Sequence, residues 1–406
     1  MKSKKVCVVG LGYIGLPTAA LLASSGFDVI GVDLNAHAVE TINMGRIHII
    51  EPDLDAYVRS AVAAGRLKAY LQPQPADIYI ICVPTPFHLS DSIPQPNIDY
   101  VLAATSSIAS LVKPDDLIIL ESTSPVGTTR KMAEVFSHAG IDMSQVHVAY
   151  CPERVLPGKI MTELVENDRV VGGLTLEATK AVSAFYKTFV RGAVLETDAA
   201  TAEMCKLTEN SYRDVNIAFA NELSLLCAKS GINVWKLIKL ANRHPRVNIL
   251  QPGTGVGGHC IAVDPWFIVA SDPDNARIIR TAREVNNYKT EWVIDQIKLA
   301  VTYATANRGR KPKVACLGLA FKPDIDDLRE SPAVHVASAL QAEGYDVVAV
   351  EPNIKSHDKF ALVTLEEALQ AADVVAVLVK HRQFVQLAGD GELVGNAILD
   401  FCGVCE

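Results

Sequence analysis

The chain has 406 residues, 49% of them hydrophobic, and a formal net charge of −8. That size and apolar content suffice for two or three domains with their own cores and exclude a largely disordered chain. The negative balance argues against a nucleic-acid or anionic-membrane partner, so a phosphate-bearing ligand must be met by local basic residues and backbone N–H groups.

Lys2, Lys4 and Lys5 precede an uncharged run over 6–27 with the outline of a signal peptide or a membrane span, but Gly10, Gly12, Gly15 and Pro17 break it. Strand, turn and helix fit better: 6–9 is a β-branched strand, Gly10, Gly12 and Gly15 form G-x-G-x-x-G, and 17–25 is a helical apolar run. A second strand at 28–32 ends in Asp33, which can accept hydrogen bonds from an adenosine ribose. With no arginine following it, Asp33 favours NAD over NADP; a tight βα turn without a ligand is the competing reading. Further strands at 78–83, 117–121 and 146–150 each run into a polar or proline-containing segment. The segments 83–86, 121–127 and 151–154 are therefore candidate cofactor and substrate loops at the carboxyl edge of a parallel sheet, although each alone reads as a stiffened turn.

From about 199 to 305 the pattern is helical, with apolar residues three and four apart over 217–226 and 292–301. Such helices pack against a twin in a dimer or against flanking domains. Lys206, Asn210 and Arg213 share a helix face able to hold a sugar, carboxylate or phosphate, unless that face, with Glu203 and Glu209, is merely solvated. Gly253, Gly255, Gly257 and Gly258 follow no strand and read as a flexible segment delivering Cys260 to a cavity. If Cys260 opens a short helix toward Trp266, the helix dipole lowers its thiol pKa; His259 and Asp264 make its setting polar, against the alternative of an inert buried cysteine.

The segments 313–321 and 339–351 echo 5–12 and 20–33, which implies a second βαβ domain with a further strand at 373–379. Its first turn, from Gly318 to Pro323, has lost the full glycine fingerprint and gained Lys322, which suits a different phosphate ligand. Nine cysteines, most in apolar runs such as those of Cys7, Cys82 and Cys227, point to a reducing compartment, the cytoplasm. Cys402 and Cys405 have redox spacing but no second pair or nearby histidine pair, and no metal constellation is expected. The fold class is α/β: two Rossmann-like doubly wound parallel-sheet domains, 1–195 and 308–406, joined by a mostly helical central domain, 196–307.

Residues 201–216, 242–250 and 318–332 (GLAFKPDIDDLRESP) carry a resemblance over essentially the whole chain. It resembles the UDP-glucose/GDP-mannose dehydrogenase family, and closely its branch acting on UDP-N-acetyl-D-mannosamine. The resemblance implies a four-electron oxidation at C6 of a UDP-sugar, consuming two NAD and one water. It gives catalytic roles to Cys260 as nucleophile, Lys206, Asp264, Asn210, Glu153 and Thr123. It puts Tyr13, Ile14, Asp33, Thr85, Thr123 and Arg329 on NAD beside the glycine turn, and Arg154, Val155, Lys206, Asn210, Arg213, His244, Arg246 and Gly257 on the substrate, with Phe321 and Lys322 near the UDP. It also implies a homodimer through the central helices, with His244 and Arg246 acting across it, and a product suited to a bacterial surface polysaccharide. UDP-N-acetylglucosamine, UDP-glucose and GDP-mannose remain alternative substrates for the same chemistry. A non-catalytic sensor would have lost Cys260, Lys206 or Asp264, and a two-electron β-hydroxyacid dehydrogenase would need neither Cys260 nor a second nucleotide-type domain. The tail cysteines depart from the family pattern.

Overall fold

The computed structural model describes residues 4–88, 93–258, 260–308, 312–389 and 397–406, so Lys2 and His259 lie outside the described residues. The chain packs as two compact units, Met1–Glu209 and Asn210–Glu406. Among the described residues no helix is long and apolar enough to cross a membrane.

The first unit begins β1 (Lys5–Val9), α1 (Gly15–Ser24), β2 (Asp28–Val32), α2 (Ala36–Asn43), α3 (Leu54–Ala63), β3 (Leu67–Tyr70) and β4 (Ile78–Ile81). A short hairpin, β5 (Phe87–His88) and β6 (Gln95–Pro96), precedes α4 (Asp99–Ala109), β7 (Leu117–Leu120), α5 (Thr128–His138) and β8 (His147–Tyr150). The unit continues through α6 (Ile160–Glu166), β9 (Arg169–Gly173), α7 (Leu176–Tyr186) and β10 (Val194–Asp198) into the long α8 (Ala199–Ser230). Among the described residues the sheet order is β10-β9-β8-β7-β4-β1-β2-β3, parallel except where β8 meets β9. β4 and β7 are buried at every position, which is why they read as unbroken apolar runs rather than alternating ones.

Register does the positioning. Val9 pairs with Val32 and Ile81, Ile81 with Leu120, and Leu120 with Tyr150, so five strands end in one row. Gly10, Asp33, Cys82, Glu121 and Cys151 therefore begin the loops on one edge, with the sheet order reversing between β1 and β4.

Glu121, read from sequence as the start of a candidate ligand loop, is fully buried. Its carboxylate accepts from Arg169 Nη1 at 3.1 Å, Thr18 Oγ1 at 3.2 Å and Cys82 Sγ at 3.1 Å, while the guanidinium stacks 5.3 Å from the Tyr186 ring centre. Burial pushes the Glu121 carboxyl up and Arg169 pulls it back. Burial also pushes the Cys151 thiol up to about 12 and the Cys82 thiol upward, the latter reinforced by Glu121, so both remain protonated. The pair pins α1, β4, β7 and β9 directly beneath the row of loops.

In the second unit the rest of α8 is followed by α9 (Val234–Ala241), α10 (Asp264–Ser271) and α11 (Arg277–Arg308). Then come β11 (Lys313–Leu317), α12 (Pro332–Ala342), β12 (Asp346–Val350), α13 (Leu365–Ala371), β13 (Val374–Val377), α14 (Arg382–Gly389) and β14 (Ala397–Asp400). Among the described residues the sheet is parallel in the order β12-β11-β13-β14, as the internal repeat predicts. The later turns of α11 bury Val293, Ile294, Ile297 and Val301 against this sheet. Its earlier turns meet α8 through polar groups. Arg283 Nη1 reaches Asp214 at 2.7 Å, Asn286 donates to Asp214 at 2.8 Å, and Asn221 donates to Asn286 at 2.9 Å. Lys289 donates to Ser224 Oγ at 2.8 Å, and burial lowers its pKa to about 7.

Breaking the Glu121–Arg169 pair from one side leaves an uncompensated buried charge. Arg169→Met should lower unfolding free energy by about 3–5 kcal/mol in denaturant titration, and Arg169→Met/Glu121→Leu should recover part of that loss. A loss below about 1 kcal/mol in the single variant would contradict this assignment.

Candidate active site

The glycine turn after β1 separates two requirements. Gly10 has φ of +90°, and a Cβ on it would lie 2.6 Å from the Cys82 carbonyl oxygen; a Cβ on Gly15 would lie 1.8 Å from the Gly10 oxygen. Both glycines are demanded by the fold. A Cβ on Gly12 would meet nothing within 4 Å, so the fold leaves space beside it that a pyrophosphate can use. Tyr13 and Ile14, both half-buried, lead into α1, whose amino end has no side-chain cap. Those first-turn N–H groups suit an anionic ligand. Asp33 accepts from Leu11 N at 2.9 Å and Asn35 N at 2.8 Å, which orients its carboxylate at the edge of the turn. His48, which no sequence motif signalled, is half-buried; burial lowers its pKa, with the nearby charge of Asp33 opposing.

Next along the edge, Thr85 Oγ1 donates to the Thr123 carbonyl at 2.6 Å and Ser122 Oγ to the Val83 carbonyl at 2.7 Å, lacing together the loops after β4 and β7. Glu203 of α8 secures the end of the second loop. It accepts from Gly127 N at 2.6 Å, Thr129 N at 2.8 Å and Thr129 Oγ1 at 2.6 Å at the amino end of α5. One turn on, Lys206 Nζ donates to the Glu153 carbonyl at 2.8 Å and to its carboxylate at 3.1 Å, with both side chains buried. The other Glu153 oxygen takes Val155 N at 3.0 Å. Arg154 grips Glu209, with Nη2 2.8 Å from Oε1. Glu51, also unsignalled by sequence, accepts from Gly158 N and Ile160 N at 2.8 Å each and anchors the far end of this loop.

In the second unit Asn210 Nδ2 donates to Asp264 Oδ2 at 2.5 Å, both residues being buried. The solvated-face reading of α8 is thus overturned for Glu203, Lys206 and Asn210, while Arg213 is exposed. Cys260 does not open a helix. α10 begins at Asp264, and Cys260 heads the preceding turn, its carbonyl accepting from Val263 N at 3.1 Å and Asp264 N at 2.8 Å. The thiol-bearing residue is exposed, so the inert-cysteine alternative also fails on burial.

The glycine segment ahead of it is packed rather than loose. A Cβ on Gly257 would lie 2.4 Å from the Glu330 carbonyl oxygen and 2.9 Å from Phe321 Cβ; one on Gly255 would lie 2.3 Å from Thr290 Oγ1. Gly253 N donates to Asn221 at 3.0 Å and Gly258 N to the Arg329 carbonyl at 3.2 Å. Gly255, Gly257 and Gly258 are glycines because neighbouring atoms, the Glu330 carbonyl at Gly257 and the Thr290, Pro332 and Phe321 side chains around the segment, leave no room for a Cβ, whereas a Cβ on Gly253 would meet nothing within 4 Å. Arg329 itself forks onto Asp327, Nη2 to Oδ2 at 2.6 Å. Lys322 is exposed and Phe321 half-buried against the glycine segment. His244 and Arg246 project from a turn stapled by Asn242, which exchanges hydrogen bonds with Ile249 at 2.7 and 2.9 Å. Cys402 is buried and Cys405 exposed; burial, then Asp400, raises both pKa values, which disfavours the thiolates that redox or metal chemistry needs.

A glycine turn feeding an uncapped helix, with an acidic residue just past the second strand, defines a Rossmann-type dinucleotide-binding protein. Residues 4–190 match the NAD binding domain of the UDP-glucose/GDP-mannose dehydrogenase family, 200–288 its central domain and 315–405 its UDP binding domain. The chain is 56% identical to the UDP-N-acetyl-D-mannosamine dehydrogenase of Escherichia coli (strain K12), over 96% of each chain. It is 53% identical to the NDP-N-acetyl-D-galactosaminuronic acid dehydrogenase of Ralstonia nicotianae, over 99% of this chain and 96% of that one. It is also similar to the solved UDP-N-acetyl-mannosamine dehydrogenase of Staphylococcus aureus, with a TM-score of 0.89 at 42% identity, covering 99% and 96% of the two chains. The chain belongs to the UDP-glucose/GDP-mannose dehydrogenase family and is an NAD-dependent nucleotide-sugar dehydrogenase.

Gly12→Ala should leave thermal stability within about 0.5 kcal/mol of the parent while raising KM for NAD by about tenfold or more, because the new methyl occupies ligand space. Gly15→Ala should instead destabilise the fold by about 3 kcal/mol or more. Equal stability losses in the two variants would refute this division.

Proposed function

We propose that the protein oxidises C6 of UDP-N-acetyl-D-mannosamine from primary alcohol to carboxylate through a covalent Cys260 thioester. The observation that carries this reading is one turn of chain. Cys260 and Asp264 are joined by an i to i+4 backbone hydrogen bond of 2.8 Å, and Asn210 holds the Asp264 carboxylate beside the thiol-bearing turn. A lone buried cysteine would need neither.

NAD would be held by Gly10, Gly12, Tyr13, Ile14, Gly15, Asp33, Thr85 and Thr123 with Arg329, and when bound would supply the acceptor for each of the two hydrides released. Lys206, kept in place by Glu153, stabilises the oxyanion as the C6 alcohol loses its proton to a water that Lys206 and Asp264 orient. Loss of the first hydride from C6 of the alkoxide leaves an aldehyde, and the Cys260 thiol adds across its C=O, its sulfur bonding to carbon and its proton passing to oxygen. Loss of the second hydride and the hydroxyl proton leaves the thioester. Water activated by Asp264, with Glu153 and Thr123, attacks the carbonyl, the C–S bond breaks, and the carboxylate leaves as Cys260 regains a proton. One alcohol and one water thus yield one carboxylate, two hydrides and three protons. Arg154, Val155, Arg213, His244, Arg246 and Gly257 contact the sugar nucleotide, with Phe321 and Lys322 at its UDP end. The product serves a bacterial surface polysaccharide, made in the cytoplasm. The domains 1–195, 196–307 and 308–406 divide this work between cofactor, catalysis and UDP.

Relatives named for the mannosamine substrate support that sugar, while the galactosaminuronic relative at 53% identity supports a rival differing in ring stereochemistry. Such a choice rests on one or two hydrogen bonds of about 1–3 kcal/mol. NADH formed per mole of limiting sugar nucleotide decides both points. Two NADH from UDP-N-acetylmannosamine, with uronate formation falling on the order of 10⁴-fold in Cys260→Ala, is the expected result. One NADH per sugar would overturn the thioester; two from UDP-N-acetylgalactosamine alone would keep it and change the substrate.

The same reading includes a homodimer through α8. Tyr212, Phe219 and Leu226 recur every seven residues and are 68%, 53% and 56% exposed, an apolar stripe that association would cover. Phe219→Asp should shift the mass in light scattering from dimer to monomer; a wild type that is monomeric at micromolar concentration would remove this part of the proposal.

A further inference from the structure

The internal repeat extends to hydrogen bonding. Gly10 N donates to the Val32 carbonyl and Leu11 N to Asp33 in the first unit; Gly318 N donates to the Val350 carbonyl and Leu319 N to Glu351 in the second. The two acids then differ in what else they do. Asp33 is half-buried, whereas Glu351 is 5% exposed and fully engaged. Its Oε2 accepts from Leu319 N at 2.7 Å, Ala320 N at 2.9 Å and His381 Nε2 at 3.0 Å; its Oε1 accepts from Asn353 N and Nδ2 at 3.0 Å each.

The tautomer of His381 follows from its neighbours. Asp324 N donates to Nδ1 at 2.9 Å, so the ring proton sits on Nε2 and points at Glu351. The imidazole is 1% exposed, and Asp324, at φ of +60°, is held further by Arg382, whose N and Nε lie 3.0 and 2.9 Å from its carboxylate. Both flanks of Phe321-Lys322-Pro323 are thereby fastened: Leu319 and Ala320 by Glu351, Asp324 by His381. Phe321 in turn buttresses Gly257 and Gly258 ahead of Cys260.

We propose that Glu351 and His381 are a positioning pair: the acid inherited from a dinucleotide-type turn has become an internal clamp that fixes the Phe321–Asp324 turn for UDP recognition by Lys322. This rests on the reading that Phe321 and Lys322 meet the UDP end of the substrate. Neither residue of the pair touches substrate; each acts through the backbone of the turn.

The test uses the full chain and UDP itself as a competitive inhibitor against the sugar nucleotide. In Glu351→Gln and His381→Phe the UDP inhibition constant should rise about tenfold or more, with KM for NAD within about twofold of wild type. His381→Asn, which can still accept from Asp324 N, should recover part of the loss, and Lys322→Ala should reproduce it without lowering Tm. If UDP inhibits the wild type and the clamp variants alike, with only Tm reduced, the pair is structural and the proposal fails. If UDP does not compete in the wild type, or Lys322→Ala leaves its inhibition unchanged, the underlying reading of the turn fails first.

Discussion

The structure depends on carboxylates, most of them buried, satisfying loop N–H groups. A loop that leaves a parallel sheet at a ligand edge cannot pair its backbone with a neighbouring strand, and orphaned N–H groups there would cost about 1–3 kcal/mol each. Asp33 takes two such groups, Glu203 two with a hydroxyl, Glu51 two, and Glu351 three backbone donors. Each clamp holds the backbone and leaves the loop's own side chains available to a ligand.

Helix α8, which carries the Glu203 clamp, reverses the usual arrangement. Its buried stripe is polar, running through Glu203, Lys206, Asn210, Asp214, Asn221 and Ser224, and its exposed stripe is apolar, running through Tyr212, Phe219 and Leu226. A polar stripe inside a protein is stable only when each member is matched, and Glu203, Lys206, Asn210 and Asp214 all have charged or hydrogen-bonded partners at 2.5–3.1 Å.

That inversion also explains what was legible beforehand. The β1–α1–β2 turn and the repeat at 313–351 were readable because each is signalled by a pattern within a few dozen residues. The polar face of α8 was legible only as two equal readings, since solvated and buried charged stripes look alike until a partner is known. Glu203 finds Gly127 at a separation of 76 residues and Glu51 finds Ile160 at 109, and no local spacing announces either. The glycine segment before Cys260 misled for the same reason. Four glycines suggest freedom, but at Gly255 and Gly257 the missing side chains record how closely Thr290, Glu330 and Pro332 approach.

The closed carboxylate of Glu351 has a bearing on ligand competition. Two copies of one dinucleotide fold in a single polypeptide would, if both stayed open, give abundant NAD two places to bind, one of them beside the turn carrying Lys322. With all its acceptor capacity taken by Leu319, Ala320, Asn353 and His381, the second copy has nothing to offer a ribose. Closing one cradle keeps the duplicated architecture while withdrawing from the second copy the acidic acceptor that a dinucleotide ribose uses in the first.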